Sequence, residues 1–321
     1  MKLIIQIPCY NEEKYLPVTA ADLPKKIDDI DQIETLVIDD GSTDSTIKVA
    51  ESLGVDHIVA LKYNKGLAYA FSTGIEKCLE KGADIIVNTD ADNQYKGEDI
   101  LKLVRPILEG KADVVIGDRQ TDGIEHFPWT KRKVLKLGGW VVRNLLEIDV
   151  NDVVSGFRAY SRDAAMRVNI LSGYSYTLEN LIQLKFHNFK IISVPIQSNK
   201  KLRDSRLIKS NFAYVTSQLS TLLRIYTTYK PLKVFTALGI LVMAPGLFGL
   251  MRFLYFFIIL GTGKGHIQSL IFSVIFVNMG FLILVVGILA DVIGNNRKLL
   301  ERILHKQKED IYSKMLPKRP S

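Results

Sequence analysis

Two apolar runs near the C-terminus, residues 234–260 and 269–293, constrain this chain more than any other stretch of it. Each is long enough to cross a roughly 30 Å hydrocarbon core, which takes about 20 residues. A soluble domain rarely carries two such runs back to back. The link over residues 261–268 is short, so the two spans are expected to form a helical hairpin. Pro245 and Arg252 interrupt the first span, and Asn278 the second. Lysine and arginine crowd before the first span and after the second (Arg297, Lys298, Arg302), whereas the link holds only Lys264. That bias predicts a two-span protein of the cell membrane with both termini and the N-terminal domain on the cytoplasmic side. Just upstream, Ile208, Phe212, Val215, Leu219, Leu222 and Tyr226 recur at steps of four and three among many lysines and arginines. A basic helix with one apolar face, here over residues 206–232, is expected to lie in the membrane interface. The expected division is a cytosolic domain (1–205), the interfacial helix (206–232), the hairpin (233–294) and a charged cytosolic tail (295–321), helical at first and then fraying.

The first 205 residues read as α/β. Short apolar runs at 3–7, 34–40, 57–61, 84–89 and 112–117 alternate with helical stretches starting near Glu12, Asp44, Asn64 and Glu98. Such alternation with short connections means a mostly parallel sheet with helices on both faces. Asn11 is expected to cap the first helix, and Ser42, Thr43 or Asp44 the second. Residues 117–129 and 149–158 read as loops, 131–146, 163–168 and 177–187 as helices, and 190–194 as a last strand. The N-terminus reads as that first strand, without the pattern of a signal peptide. Cys9 and Cys78 lie far apart, which excludes a disulfide framework and fits a reducing compartment. The net charge of +8, concentrated after residue 195, points to a phosphate-rich partner. With basic residues beside membrane spans and no recognisable nucleic-acid module, that partner is not nucleic acid.

Chemistry concentrates at Asp90-Ala91-Asp92-Asn93-Gln94, directly after the apolar Ile85-Ile86-Val87. In an open α/β sheet, ligands bind beyond the C-terminal strand ends. Two carboxylates there, with a carboxamide two residues on, suit a hard divalent cation, Mg²⁺ or Mn²⁺. Such ions take oxygen ligands, few of them carboxylates, and complete their shell with water and phosphate. Asp90, Asp92 and Gln94 are therefore the candidate metal residues; a turn rich in Asp and Asn is the plain alternative.

Pro8-x-Tyr10-Asn11-Glu12, Asp39-Asp40-Gly41-Ser42-x-Asp44, Asn64-Lys65-Gly66, Asp90-Ala91-Asp92-x-Gln94 and Ser155-Gly156-Phe157-Arg158 follow one another in order. Together they resemble the family 2 glycosyltransferases of the GT-A fold, and among them the polyprenyl- and dolichyl-phosphate sugar synthases. The resemblance covers about residues 1–230. It implies a membrane-anchored, metal-dependent inverting transfer of one hexose from a nucleotide diphosphate sugar to a polyprenyl or dolichyl phosphate, UDP-sugar being favoured and GDP-mannose open. It further implies that Pro8, Tyr10, Glu12, Asp39, Asp40 and Lys65 bind the nucleotide sugar. Asp90, Asp92 and Asp152 are implied as catalytic, and Arg119, Arg132, Arg203, Arg206 and Lys209 as binding the acceptor phosphate. Asp152 would orient the acceptor or act as base, and residues 117–129 have the length of a lid. Two rivals stay open: a processive polysaccharide synthase, whose Gln-x-x-Arg-Trp motif is missing here, and a non-catalytic membrane scaffold. Oligomeric state is open too, with self-association through the spans as one arrangement.

Overall fold

The computed structural model describes residues 1–119, 150, 152–170, 176–199, 227, 230–259, 261 and 267–315. The expected lid, the helix at 131–146 and the interfacial helix lie outside these residues, apart from single positions. The chain divides into two compact units, one of residues 1–222 with 305–321, the other of residues 223–304.

The first unit is built on a seven-stranded sheet. In chain order the strands are β1 (Lys2–Cys9), β2 (Gln32–Asp39), β3 (His57–Ala60), β4 (Ile85–Asn88), β5 (Val114–Asp118), β6 (Arg158–Ser161) and β7 (Ile191–Pro195). In space they run β3-β2-β1-β4-β6-β5-β7. All are parallel except β6, which is antiparallel to both β4 and β5. Residues 3–5 of β1, 36–38 of β2 and all of β4 are buried on both faces, the reason they read as unbroken apolar runs. One face carries Leu3, Ile5, Val87 and Val115 and packs on α4 (Ile100–Leu108); farther along it, Ile7 and Val37 pack with Leu16 of α1 (Leu16–Asp22) and Ala50 of α2 (Thr46–Ser52). The other face meets α3 (Leu67–Glu80), where Gly74 leaves room for Gln6 and Ile38. Two more helices, α5 (Arg162–Arg167) and α6 (Tyr176–Phe186), flank β6 and β7 in the chain.

The sheet splits where it matters. β1 pairs with β4 only from Leu3 to Gln6, but with β2 as far as Cys9. Beyond Gln6 the β1–β4 pairing ends, at the point where the connection order reverses, which is where open α/β sheets place a binding crevice. Pro8, which weakens a ladder by lacking an N–H, falls beyond that last pair.

One expectation needs correction and one strand was not expected. Arg158 was expected to close a loop and residues 159–161 carried no assignment, but Arg158–Ser161 form β6, whose four residues carry too little periodicity to announce a strand. Asn11 does not cap α1, which starts at Leu16 after Tyr15; it adopts a left-handed φ of 56° instead. The C-terminal tail, expected to begin as helix, is helical throughout its described residues, because α8 runs unbroken from Ile267 to Met315. Its last turns belong to the first unit: Tyr312 is buried, Lys308 pairs with Glu76 at 3.7 Å and His305 meets Asp163 at 3.9 Å. Burial, with Glu76 and Glu80 close by, pushes the Tyr312 phenol up to about 12.

The second unit is an antiparallel pair of α7 (Pro231–Ile258) and the first part of α8. Both are long and apolar enough to cross a membrane, and they expose large apolar side chains such as Leu241, Phe248 and Ile293. Small residues seven apart, Gly239 and Gly246 on α7 and Ser273, Gly280 and Gly287 on α8, bring the helices together. A Cβ on Gly280 would stand 2.7 Å from the Met243 Cβ and 2.8 Å from the Gly239 carbonyl oxygen. The polar interruptions make contacts within their own helices. Asn278 Nδ2 donates to the Val274 carbonyl at 3.0 Å and the Arg252 guanidinium lies 5.6 Å from the Phe256 ring centre. Gly280→Leu is expected to destabilise the pair by about 1–3 kcal/mol through overpacking, read as a lower thermal midpoint of the detergent-solubilised protein. Phe248→Leu, on an exposed position, should leave the midpoint in place.

Candidate active site

The C-terminal ends of β1, β2, β4 and β5 share one rim, and β6, running the other way, begins there. This topology brings together Tyr10, Glu12, Asp39, Asp40, Lys65, Asp90, Asp92, Arg119, Asp152 and Gly156.

At the β1–β2 end the two loops zip together. Asn11 N donates to Ser42 Oγ and Thr43 N to Asn11 Oδ1, both at 2.8 Å, and Glu12 N donates to Thr46 Oγ1 at 2.8 Å. The adjacent aspartates at the end of β2 have different tasks. Asp40 accepts from Lys65 N and Gly66 N, each at 2.8 Å, and so holds the turn that leads into α3. Asp39, 1% exposed, accepts from Ser42 N through Oδ2, while its buried Oδ1 has no hydrogen-bond partner among the described residues. Gly41, between these loops, has φ 71°, and a Cβ there would stand 2.6 Å from Asn64 N. Burial first, then the charges of Glu12, Asp39 and Asp44, push the Cys9 thiol well up. The same field makes this corner a place for N–H and O–H donors of a ligand and a poor one for its phosphates. Tyr10 stands half-exposed at the mouth, and Lys65 Nζ donates to Tyr69 Oη at 3.2 Å.

The acid loop after β4 is held from several sides. Thr19 Oγ1 donates to the Ala91 carbonyl at 2.8 Å, between the two acids. Asn199 donates its N–H to the Gln94 carbonyl at 2.9 Å and Nδ2 to the Asn93 carbonyl at 3.0 Å. Asn93 itself adopts φ 53°, which asparagine tolerates better than most residues. Gln94 Nε2 donates to Asp92 Oδ2 at 2.8 Å, so Gln94 orients that carboxylate. Among the described residues no three His, Cys, Asp or Glu side chains converge on a metal position. Two carboxylates with the remaining positions left to a ligand fit a hard cation that binds through substrate phosphates.

On the other side of the crevice, Arg119 Nε and Nη2 donate to Asp152 Oδ2 and Oδ1 at 2.6 and 3.0 Å, a two-pronged pair. The Asp152 side chain is 5% exposed and that of Arg119 23%. Burial works against the arginine charge, but the neighbouring Tyr95, Asp152 and Asp90 outweigh it and hold the guanidinium protonated. Burial likewise pushes the Tyr95 and Tyr176 phenols up, with Asp90 adding to both. Tyr95 stacks on Phe157 at 4.8 Å. Arg158 is fully buried and donates to the carbonyls of Ser155, Thr177 and Val153 at 2.8–2.9 Å, tying the Asp152–Phe157 segment to the start of α6.

Sequence reasoning did not find Thr19, Asn199 or the internal role of Arg158, because their contacts join positions far apart in the chain. Arg132, Arg203, Arg206 and Lys209 lie outside the described residues.

The profile of glycosyl transferase family 2 matches residues 4–168. Polyprenol monophosphomannose synthase of Mycolicibacterium smegmatis is 27% identical over 65% of this chain and 82% of that protein. The UDP-N-acetylglucosamine–dolichyl-phosphate N-acetylglucosaminyltransferase of Methanococcus voltae is 34% identical over 60% of this chain and 83% of that protein. Among solved structures, glucosyl-3-phosphoglycerate synthase of Mycobacterium tuberculosis, in complex with Mn²⁺, UDP and phosphoglyceric acid, superimposes with a TM-score of 0.55 at 22% identity. That likeness covers 70% of this chain and 78% of the other, and it is one of fold.

Proposed function

The chain belongs to glycosyl transferase family 2, and on that footing we propose that it moves one hexose from a nucleotide diphosphate sugar to a polyprenyl or dolichyl phosphate. The observation that carries this reading is the crevice between β1 and β4, with a buried acceptor, Asp39 Oδ1, at one end and a two-acid loop at the other. The nucleoside lies against Asp39 and Glu12, which accept from base or ribose, and Tyr10 covers it. Asp90 and Asp92 would hold Mg²⁺ or Mn²⁺, with Gln94 fixing Asp92, and a cation bound there would supply Lewis-acid stabilisation of the departing diphosphate. The lipid phosphate is already an anion at neutral pH, so its oxygen attacks the anomeric carbon without a strong base. Single displacement from the face opposite the diphosphate inverts that carbon. Asp152, engaged by Arg119, fits a role in orienting the guanidinium toward the acceptor phosphate better than one as base. Arg132, Arg203, Arg206 and Lys209 add positive charge on the acceptor side.

The names of the two relatives favour a lipid-phosphate acceptor, and one of them names a UDP-sugar. UDP-sugar is the favoured donor, with GDP-mannose as second choice. The two apolar helices anchor the enzyme in the membrane, with the catalytic domain and both termini on the cytoplasmic side. The test is transfer by purified, detergent-solubilised protein to a short polyprenyl phosphate across a panel of UDP- and GDP-sugars, with Mn²⁺ or Mg²⁺ and with chelator. One donor should give a lipid-linked product that chelator abolishes. No product from any donor would overturn the reading and return attention to a non-catalytic scaffold.

A further inference from the structure

Gly156 lies within the Ser155-Gly156-Phe157-Arg158 motif, and the sequence assigned it no separate role. The structure places it against Asp90. A Cβ on Gly156 would stand 3.2 and 3.5 Å from the two Asp90 carboxylate oxygens and 2.9 Å from Tyr176 Oη. The carboxylate and the phenol therefore crowd one small space above the bare Cα of Gly156, and any side chain there would displace one or both.

That space is fixed by a buried polar chain. Gln6 and Asn88 face each other across the last β1–β4 pair, and both are fully buried. Gln6 Nε2 donates to Asn88 Oδ1 at 2.8 Å, and Asn88 Nδ2 donates to the Gly156 carbonyl at 2.8 Å. The same Nδ2 approaches Tyr176 Oη at 3.5 Å. Asn88 thus joins β1, β4 and the entry to β6 two residues before Asp90. The Tyr176 ring is stacked on Phe71 of α3 at 4.3 Å, which holds the hydroxyl in place. Oη thus borders the space over Gly156 that the Asp90 carboxylate also borders. Buried polar groups inside a parallel sheet are costly unless satisfied, and this set is spent on placing the segments around one carboxylate.

We propose that Tyr176 is a positioning residue for Asp90: its hydroxyl, with the bare Cα of Gly156, sets where the Asp90 carboxylate meets the cation and the donor diphosphate. The inference rests on reading Asp90 as a cation-binding acid. Tyr176→Phe removes one oxygen whose contact with Asn88 is long, so the fold should survive. Partners of metal-binding side chains typically matter by about 10- to 100-fold in metal affinity.

The test is Mn²⁺ binding to the full-length protein in detergent, followed by electron paramagnetic resonance with UDP and separately with GDP, beside the thermal midpoint. Tyr176→Phe should raise the Mn²⁺ midpoint about tenfold with little change in thermal midpoint, and Gly156→Ala should raise it further. Tyr160→Phe, another buried tyrosine away from Asp90, should leave it unchanged. In the Asp90→Asn background, Tyr176→Phe should add nothing. If Asp90→Asn weakens Mn²⁺ binding while Tyr176→Phe does not, the positioning role is overturned and the cation reading stands. If Asp90→Asn itself leaves Mn²⁺ binding intact, the cation reading falls and this inference with it.

Discussion

Asp92→Ala is expected to lower the transfer rate at least a thousandfold, about 4 kcal/mol of transition-state stabilisation, with no loss of thermal stability. Removing one of two carboxylates would leave a cation with too few protein ligands to be held where it could stabilise charge building up on the diphosphate. Asp92 is part-exposed, and its contact with Gln94 is local to the acid loop. Asp40→Ala provides the contrast. Both Asp40 oxygens accept from backbone N–H groups at the start of α3, so its loss should cost about 1–3 kcal/mol of stability before any effect on chemistry is read. Activity and thermal midpoint measured on the two variants separate a catalytic acid from a structural one. Asp92→Ala with wild-type activity would remove the acid loop from the mechanism.

Arg119→Ala should produce a double effect. It strands Asp152, whose side chain is 5% exposed, and breaking such a pair costs about 3 kcal/mol. It also removes the fork proposed to receive the lipid phosphate, so KM for polyprenyl phosphate should rise by at least tenfold. The double variant Arg119→Met with Asp152→Leu tells the two effects apart. Stability should return, because no buried charge is left alone, while acceptor binding should stay weak. Arg119→Lys keeps the charge but loses the two-pronged geometry, and an intermediate KM is expected. Recovery of acceptor KM in the double variant would make the pair purely structural.

Much of the architecture was legible along the chain. Residues 3–5, 36–38 and 85–87 are apolar without a break because strands of a parallel sheet are covered on both faces. The spans at the C-terminus were legible for a similar reason: a helix with large exposed apolar side chains on most sides has no aqueous explanation. The glycines Gly41 and Gly66 marked turns that the structure uses, with φ of 71° and 93°. β6 was not legible. Its four residues include a fully buried arginine, and no local pattern announces that three backbone carbonyls, one of them from α6, will satisfy it.

The sequence by itself determined the class of the fold, the family, the apolar hairpin and the set of acids on the rim. These follow from periodicity, turn chemistry and short motifs, all of which act over a few residues. Only the tertiary structure decided how neighbours in the chain differ. Asp39 keeps a buried oxygen open while Asp40 holds the turn before α3, because only the latter lies under the Lys65–Gly66 turn. Gly156 serves Asp90 instead of standing apart with its own motif, because an antiparallel strand brings it to the end of β4. Such assignments depend on burial and on hydrogen bonds between residues 25 to 106 positions apart, and no local pattern encodes those distances.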